Sequence, residues 1–247
     1  MTVAAVVVVH DPLPELAQCL EALIPQVQEL VVVDNLGGAV VQGVPVIANE
    51  RPVGFAANAN RGIAETSATF VVVANPDTIA APDAVAVLRD FAGAHPRAGI
   101  VGPELRHPDG TLNPSRRRFP TVGGTIVRRT PLRRILRGTQ RAHYGLDEEP
   151  TEPVQGDWLL GAFLLLRREM LEELGGFDEG FRLYGEDIDL AYRASKAGWE
   201  RWYVPDAKVV HVHQADTDRR ILTRRTLWHW RGIARFVRRH PERLRGR

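Results

Sequence analysis

Three short apolar runs, at residues 3–9, 30–33 and 70–74, constrain this chain more than any other feature; each is rich in valine and each ends on polar residues. A run without polar alternation is what a strand needs when both of its faces are covered, so these read as central strands of a sheet sandwiched between helices. Between the first two, Leu16, Leu20, Leu23 and Ile24 recur at helical spacing. Strand, helix and strand in that order form a parallel βαβ unit with a right-handed crossover. The first run gives way to His10-Asp11-Pro12, the second to Asp34-Asn35 and Gly37-Gly38, and the third to Asn75-Pro76-Asp77-Thr78. Ligands of such sheets sit beyond the carboxyl ends of the strands. His10, Asp11, Asp34 and Asn35 are candidates by position alone.

A third short strand, 44–48, leads into a polar stretch from Asn49 to Gly62. There Gly54 permits a close backbone approach at the start of a helix, Asn58 and Asn60 add polar groups, and Arg61 or Arg51 could meet a phosphate. Asp77, at the end of a central strand and fixed by Pro76, suits a hard divalent cation shared with phosphates. A turn before the helix at 81–92 is the competing explanation, with Asp83 after Pro82 as its N-cap. No GxGxxG follows a strand and no GxxxxGK[ST] occurs, which argues against dinucleotide oxidoreductases and P-loop enzymes. What remains is a nucleotide-type α/β sheet that meets phosphate through a metal and a few side chains.

Beyond residue 99 a strand (100–105), a turn (107–110) and a basic loop (114–120) follow, and Arg116 to Arg118 read equally as a solvated loop or as a receiver for an anionic group. The basic 128–141 and acidic 147–152 stretches read as a poorly packed excursion. Residues 154–168 return to the core as a buried strand behind Trp158 and Gly161. In GGFDEGFRLYGEDIDLAYR, 175–193, a glycine-rich aromatic loop precedes a helix whose first turn holds Glu186, Asp187 and Asp189. Acids there complement the exposed N–H groups and the dipole, and Asp189 has Arg193 four residues on. Tyr184 and Gly185 point instead to a tight approach that aims a carboxylate into a cleft, where it could act as a general base. After a stop at Gly198, short strands at 202–204 and 209–212 lead to His211 and His213.

With 247 residues, 44% hydrophobic and 25% charged, the chain can bury a large core as one domain or two interlocked halves. A lone cysteine, Cys19, excludes an internal disulfide. No apolar run nears the roughly 18 to 20 residues that span a bilayer, so any membrane role is expected from the surface. Net charge is only +2, yet 219–247 is dense in arginine and holds one acid, Glu242. There Ile221, Leu222, Leu227, Trp228, Trp230, Ile233, Phe236 and Val237 interleave with arginines as one or two amphipathic helices. Such an arm can lie on anionic lipid, pack on the domain, or form an oligomer interface.

The order of motifs resembles the inverting nucleotide-sugar glycosyltransferases of family 2. The pieces are VVVDN (31–35), VGFAANANRGI (53–63), ANPDT (74–78), GGFDEGFRLYGEDIDLAYRASKAGW (175–199) and VPDAKVVHVH (204–213). Within the family, GPELRHPDGTLNPSRRRFP (102–120) and GDWLLGAFLLLRR (156–168) resemble rhamnosyltransferase-like members acting on cell-envelope glycans. The resemblance implies an α/β GT-A type nucleotide-diphospho-sugar transferase fold, with a mostly parallel central sheet flanked by helices and a C-terminal basic helical arm. It divides the chain into a donor half (1–105), an acceptor and catalytic half of the same domain (106–215), and the arm (216–247).

By the same resemblance Asp34 binds the nucleobase, with Val9, His10 and Asp11 lining the nucleoside pocket and Asn35, Gly54, Asn58, Arg61 and Asn75 around the donor. Asp77 and His211, with His213 as fallback, hold Mg2+ or Mn2+. Asp187 is the base, Glu186 shapes the acceptor site, and Trp158, Gly161 and Tyr184 face the acceptor. Asn75 replaces the first Asp of the family's Asp-x-Asp motif, Pro52 stands where many relatives have Asn, and His10 and Asp11 stand for Tyr and Asn. The implied partners are a dTDP- or UDP-sugar, a glycan or polyprenyl-diphosphate-linked acceptor, an anionic membrane surface and a second copy in a homodimer, with no nucleic acid. The implied location is cytoplasmic, peripheral on the inner face of the plasma membrane. The rival classes are a nucleic-acid-binding module using the arginine-rich arm and a sugar-nucleotide-forming nucleotidyltransferase.

Overall fold

The computed structural model describes residues 1–10, 14–38, 41–119, 150–212 and 224–242, with the backbone alone for 224–227 and 229. Asp11, His213, the 128–141 stretch, the acidic residues from Asp147 to 149, Ile221, Leu222 and the side chain of Leu227 lie outside the described residues. The first half runs β1 (Val3–Val9), α1 (Glu15–Leu23), β2 (Glu29–Asp34), β3 (Val46–Ala48), α2 (Phe55–Ala64), β4 (Phe70–Ala74), β5 (Thr78–Ala80), α3 (Ala84–Ala94) and β6 (Ala98–Arg106). The second runs β7 (Leu112–Asn113), β8 (Arg116–Arg117), β9 (Val154–Gln155), β10 (Trp158–Leu159), β11 (Phe163–Arg167), α4 (Arg168–Leu174), α5 (Glu186–Lys196), β12 (Glu200–His211) and α6 (Arg224–Arg239).

The main path of the sheet is β3-β2-β1-β4-β11-β6-β12-β5. From β3 to β4 all pairings are parallel, as the strand-helix-strand pattern requires. Beyond β4 the sheet is mixed. β11 enters antiparallel between β4 and β6, and β12 pairs parallel with β6 but antiparallel with β5. The alternation of side chains across a strand explains the unbroken valine runs. Val6, Val8, Val71 and Val73 pack on one face against Ala56, Ala59 and Ile63 of α2 and Leu190 of α5. Val3, Val7, Phe70 and Val72 pack on the other against Leu20 and Leu23 of α1 and Leu88 of α3.

Two strand expectations are corrected. Residues 154–168 are not one strand but β9, β10 and β11, because the chain breaks at 160–162: Leu160 N–H donates to the Ser115 carbonyl, and Ala162 offers its carbonyl to Asn75 N–H. Conversely, 202–204 and 209–212 belong to one strand, β12, interrupted by a register shift between Val204 and Lys208. The arm forms one 16-residue helix rather than two among the described residues.

Candidate active site

Parallel pairing places Val9 opposite Asp34 and Val7 opposite Ala74, so His10, Asn35 and Asn75 emerge along one edge of the sheet. The antiparallel entry of β11 sets Phe163 opposite Ala74, which brings Gly161 to the same edge from the far half of the sequence. At the end of β12, His211 pairs with Thr78 beside Asp77.

On the donor side most polar side chains bind one another. Asp34 is buried and its Oδ1 accepts the backbone N–H groups of Leu36 (3.1 Å) and Gly37 (3.0 Å), shaping the turn after β2. Asn35 is fully buried: Nδ2 lies 2.5 Å from His10 Nδ1 and donates to the Val53 carbonyl, while Oδ1 accepts from Val53 N–H and Asn49 Nδ2. Asn49 Nδ2 also donates to Asn58 Oδ1 (2.6 Å), and Arg61 Nη1 donates to Asn49 Oδ1. Asn49 thus joins the turn after β2 to α2. Its place inside the polar 49–62 stretch is the signal that the sequence holds for it.

Gly54 has a packing reason as well. A Cβ there would lie 2.8 Å from both the Phe181 carbonyl and Arg182 Cα, and Phe55 N–H donates to the Arg182 carbonyl. The close approach inferred at Gly54 is therefore made by the protein's own 181–182 backbone.

Asp77 and His211 come together: Nε2 lies 3.4 Å from Oδ2, and both residues are buried. Val212 N–H donates to the Asp77 carbonyl, which fixes the end of β12 on that turn. Asn113, from β7, lies 3.2 Å from His211 Nδ1. Nothing in the sequence singles it out, because it reaches the histidine only through the β6–β7 pairing. Such a pair fits a divalent cation. The carboxylate supplies a hard oxygen and the imidazole a nitrogen, and the Asn113 side-chain amide beside Nδ1 fixes the orientation of the ring. Among the described residues no cluster of three or more His, Cys, Asp or Glu gathers, so substrate phosphate and water would complete the shell.

The carboxylate pair stands across this edge, at the start of α5. Asp187 Oδ2 accepts Gly161 N–H (3.2 Å), and Oδ1 accepts Ile188 N–H (2.9 Å). A Cβ on Gly161 would sit 3.3 Å from Asp187 Cβ, so the break in the 154–168 run is what makes room for the carboxylate. Burial raises the Asp187 carboxyl above its ordinary range, opposed by those two N–H groups and by the Arg117 guanidinium. Burial raises Glu186 too, reinforced by the Asp187 charge, and among the described residues no hydrogen bond reaches its buried Oε2. Adjacent acids in such a setting titrate together, and burial raises both; only at Asp187 do two neighbouring backbone N–H groups and a guanidinium oppose the rise.

The expected acceptor residues flank that pair. Trp158 is buried, donates Nε1–H to the Arg118 carbonyl (2.9 Å), and carries the Arg117 guanidinium 5.2 Å over its ring. Tyr184 adopts φ 71°, a left-handed conformation uncommon for a bulky residue, and Gly185 follows at φ 99°. Asp189 is fully buried and pairs with Arg193 Nε at 2.7 Å, so it serves the helix and not the cleft.

A polar donor-side network, a carboxylate–imidazole pair and two adjacent carboxyls thus gather along one edge of the sheet. A family model described as glycosyltransferase like family 2 matches residues 25–229, and the chain belongs to that family. It is 41% identical over 153 residues to the N-acetylglucosaminyl-diphospho-decaprenol L-rhamnosyltransferase of Mycobacterium tuberculosis, covering 61% of this chain and 49% of that protein. It is 36% identical over 81 residues to rhamnosyltransferase WbbL of Escherichia coli, covering 33% and 30%. The chain thus spans about half the length of the mycobacterial relative or less of these proteins. Among solved structures it is similar in fold to GalNAc-T7 with UDP, GalNAc and Mn2+, at TM-score 0.69 and 17% identity over 96% of this chain and 48% of that one. A mannosyltransferase from Pyrobaculum calidifontis with GDP-Man and Mn2+ matches at TM-score 0.59 and 18% identity, over 100% of this chain and 65% of that one. The family match supports neither the nucleic-acid-binding nor the nucleotidyltransferase alternative.

Proposed function

We propose that this chain moves a sugar, rhamnose first among the candidates, from a nucleoside-diphosphate donor to a hydroxyl of a cell-envelope glycan or polyprenyl-diphosphate-linked acceptor, with inversion. The observation that carries the reading is the Asp187 carboxyl, which accepts Gly161 N–H and Ile188 N–H and feels the Arg117 guanidinium, at the edge that also holds Asp77 and His211. Residues 1–105 bind the donor and 106–215 supply the acceptor side. Asp34 and the 49–58 network set the nucleoside pocket, with Val9 and His10 in its wall. Asp187 takes the proton of the acceptor hydroxyl as that oxygen attacks the anomeric carbon. The bond from that carbon to the diphosphate oxygen breaks on the opposite face, and its electron pair leaves with the diphosphate. Mg2+ or Mn2+ at Asp77 and His211 would supply the positive charge that stabilises the departing diphosphate. Trp158 and Tyr184 exclude water from the reacting hydroxyl. Arg231, Arg238 and the exposed Trp230 on the outer side of α6 suit an anionic membrane surface. No helix among the described residues is long and apolar enough to cross a membrane.

Thermal shift with UDP, dTDP and GDP, each with and without Mn2+, tests the donor site, because a ligand bound only by the native state raises its apparent stability. The expected result is a metal-dependent shift for one nucleotide that Asp77→Ala abolishes. No shift for any of the three would overturn the donor assignment.

A further inference from the structure

The segment between α4 and α5, residues 177–185, aims Asp187, and it is held from two sides. On the donor side Asn60 Nδ2 donates to the Phe177 carbonyl (2.9 Å) and Glu179 Oε1 (3.0 Å), and its Oδ1 accepts Phe177 N–H. Gly54 and Phe55 pack on 181–182, as described above. On the opposite side, among the described residues, α6 packs against the segment. Arg235 clasps Asp178 in a two-point pair, Nε to Oδ2 at 2.8 Å and Nη2 to Oδ1 at 2.7 Å, and Arg239 adds a third contact at 2.9 Å. The Arg235 guanidinium also lies 5.6 Å over the Phe181 ring, which is buried. One turn earlier, a Cβ on Gly232 would collide with the Tyr184 carbonyl oxygen.

That contact falls on the least favoured backbone of the segment, the left-handed Tyr184–Gly185 step directly before Glu186 and Asp187. Such a conformation persists only when its surroundings over-determine it. Phe236 seats α6 in the core against Tyr192 of α5, and His240 Nε2 lies 2.8 Å from Asp189 Oδ1. The helix that carries Asp187 is therefore held by the same arm as the loop before it.

We propose that α6 is a positioning element of the catalytic centre, in which the Arg235–Asp178 clasp and the Gly232–Tyr184 contact hold the 177–185 segment so that Asp187 meets the acceptor hydroxyl. Arg235 touches neither substrate nor Asp187 and acts through the loop. The proposal rests on the sugar-transfer reading for its kinetic consequence alone, since the clasp itself is open to a test without turnover.

Hydrogen exchange and steady-state kinetics of Arg235→Gln, Arg235→Lys and Gly232→Ala decide it. In Arg235→Gln the amides of 177–188 should exchange at least about tenfold faster while β1 and β4 keep their protection. kcat should fall about 10- to 100-fold, the cost of an ångström-scale misplacement. The donor KM should stay within about twofold, because the donor network is untouched. Arg235→Lys, which keeps the charge but not the two-point geometry, should recover part of kcat, and Gly232→Ala should repeat the pattern. Unchanged exchange at 177–188, or faster exchange with unchanged kcat, would overturn the proposal. So would loss of protection throughout β1 and β4, which marks a general stabilising role. If the wild-type chain transfers no sugar from any donor, the functional reading fails, and the exchange comparison alone then accepts or rejects the clasp.

Discussion

The polar clusters on the two sides of the sheet edge are built on opposite terms. Around Asn35, Asn49 and Asn58 the side-chain amides meet one another, the backbone, His10 and the Arg61 guanidinium. At the start of α5 the buried Glu186 and the half-buried Asp187 follow one another, and Glu186 Oε2 receives no hydrogen bond among the described residues. A satisfied network rigidifies a pocket, whereas an unsatisfied buried polar group costs stability and persists where chemistry needs it. The donor side is thus organised to hold a shape, and the carboxylate side to hold carboxyls that burial makes readier to keep a proton.

Substitutions can break or sharpen that contrast. Asp187→Asn keeps the size and loses the base, so kcat should fall by about 10²–10⁴-fold while nucleotide-induced thermal shifts persist. Retained turnover would remove the carboxylate side from the chemistry altogether. Asn35→Ala should act in the opposite way. It leaves Val53 N–H and Asn49 without their shared acceptor, and chemical denaturation should register a loss of about 1–3 kcal/mol, with nucleotide binding weakened alongside. A variant as stable as the wild type would show that this network holds little.

The smallest effect is expected at Glu186. Burial and the neighbouring Asp187 raise its carboxyl, so the native state keeps a proton that the unfolded chain has released. Stability from this group therefore falls as pH rises from the ordinary carboxylate range through the raised one. Glu186→Gln removes that penalty. Its melting temperature should gain more at about pH 8 than at about pH 5, with turnover at neutral pH reduced only severalfold. An equal gain at both pH values would show that Glu186 does not hold a proton in the native state.

The arm shows where sequence and structure part. Its arginine and tryptophan pattern establishes an amphipathic basic helix, but lipid, domain and a second copy present the same apolar-plus-cationic requirement to a local reading. Gly232, Arg235 and Phe236 fit Tyr184, Asp178 and the core and so dock one face of the helix on the 177–185 segment, a fit that only the folded chain reveals.

The sequence by itself determined the strands from their two-sided burial and the polar residues at the strand ends from their position in a βαβ unit, and it drew attention to Glu186 and Asp187 through the loop before them. These are properties of a few adjacent residues, and short-range periodicity carries them. Only the tertiary structure decided that Asn113 backs His211 and that Gly161 makes room for Asp187. It also decided that β11 runs antiparallel between β4 and β6, which turns a parallel sheet into a mixed one and brings Gly161 to the edge. Each of these pairs residues far apart in the chain. Their meeting depends on strand register and packing, and no window of sequence contains both partners.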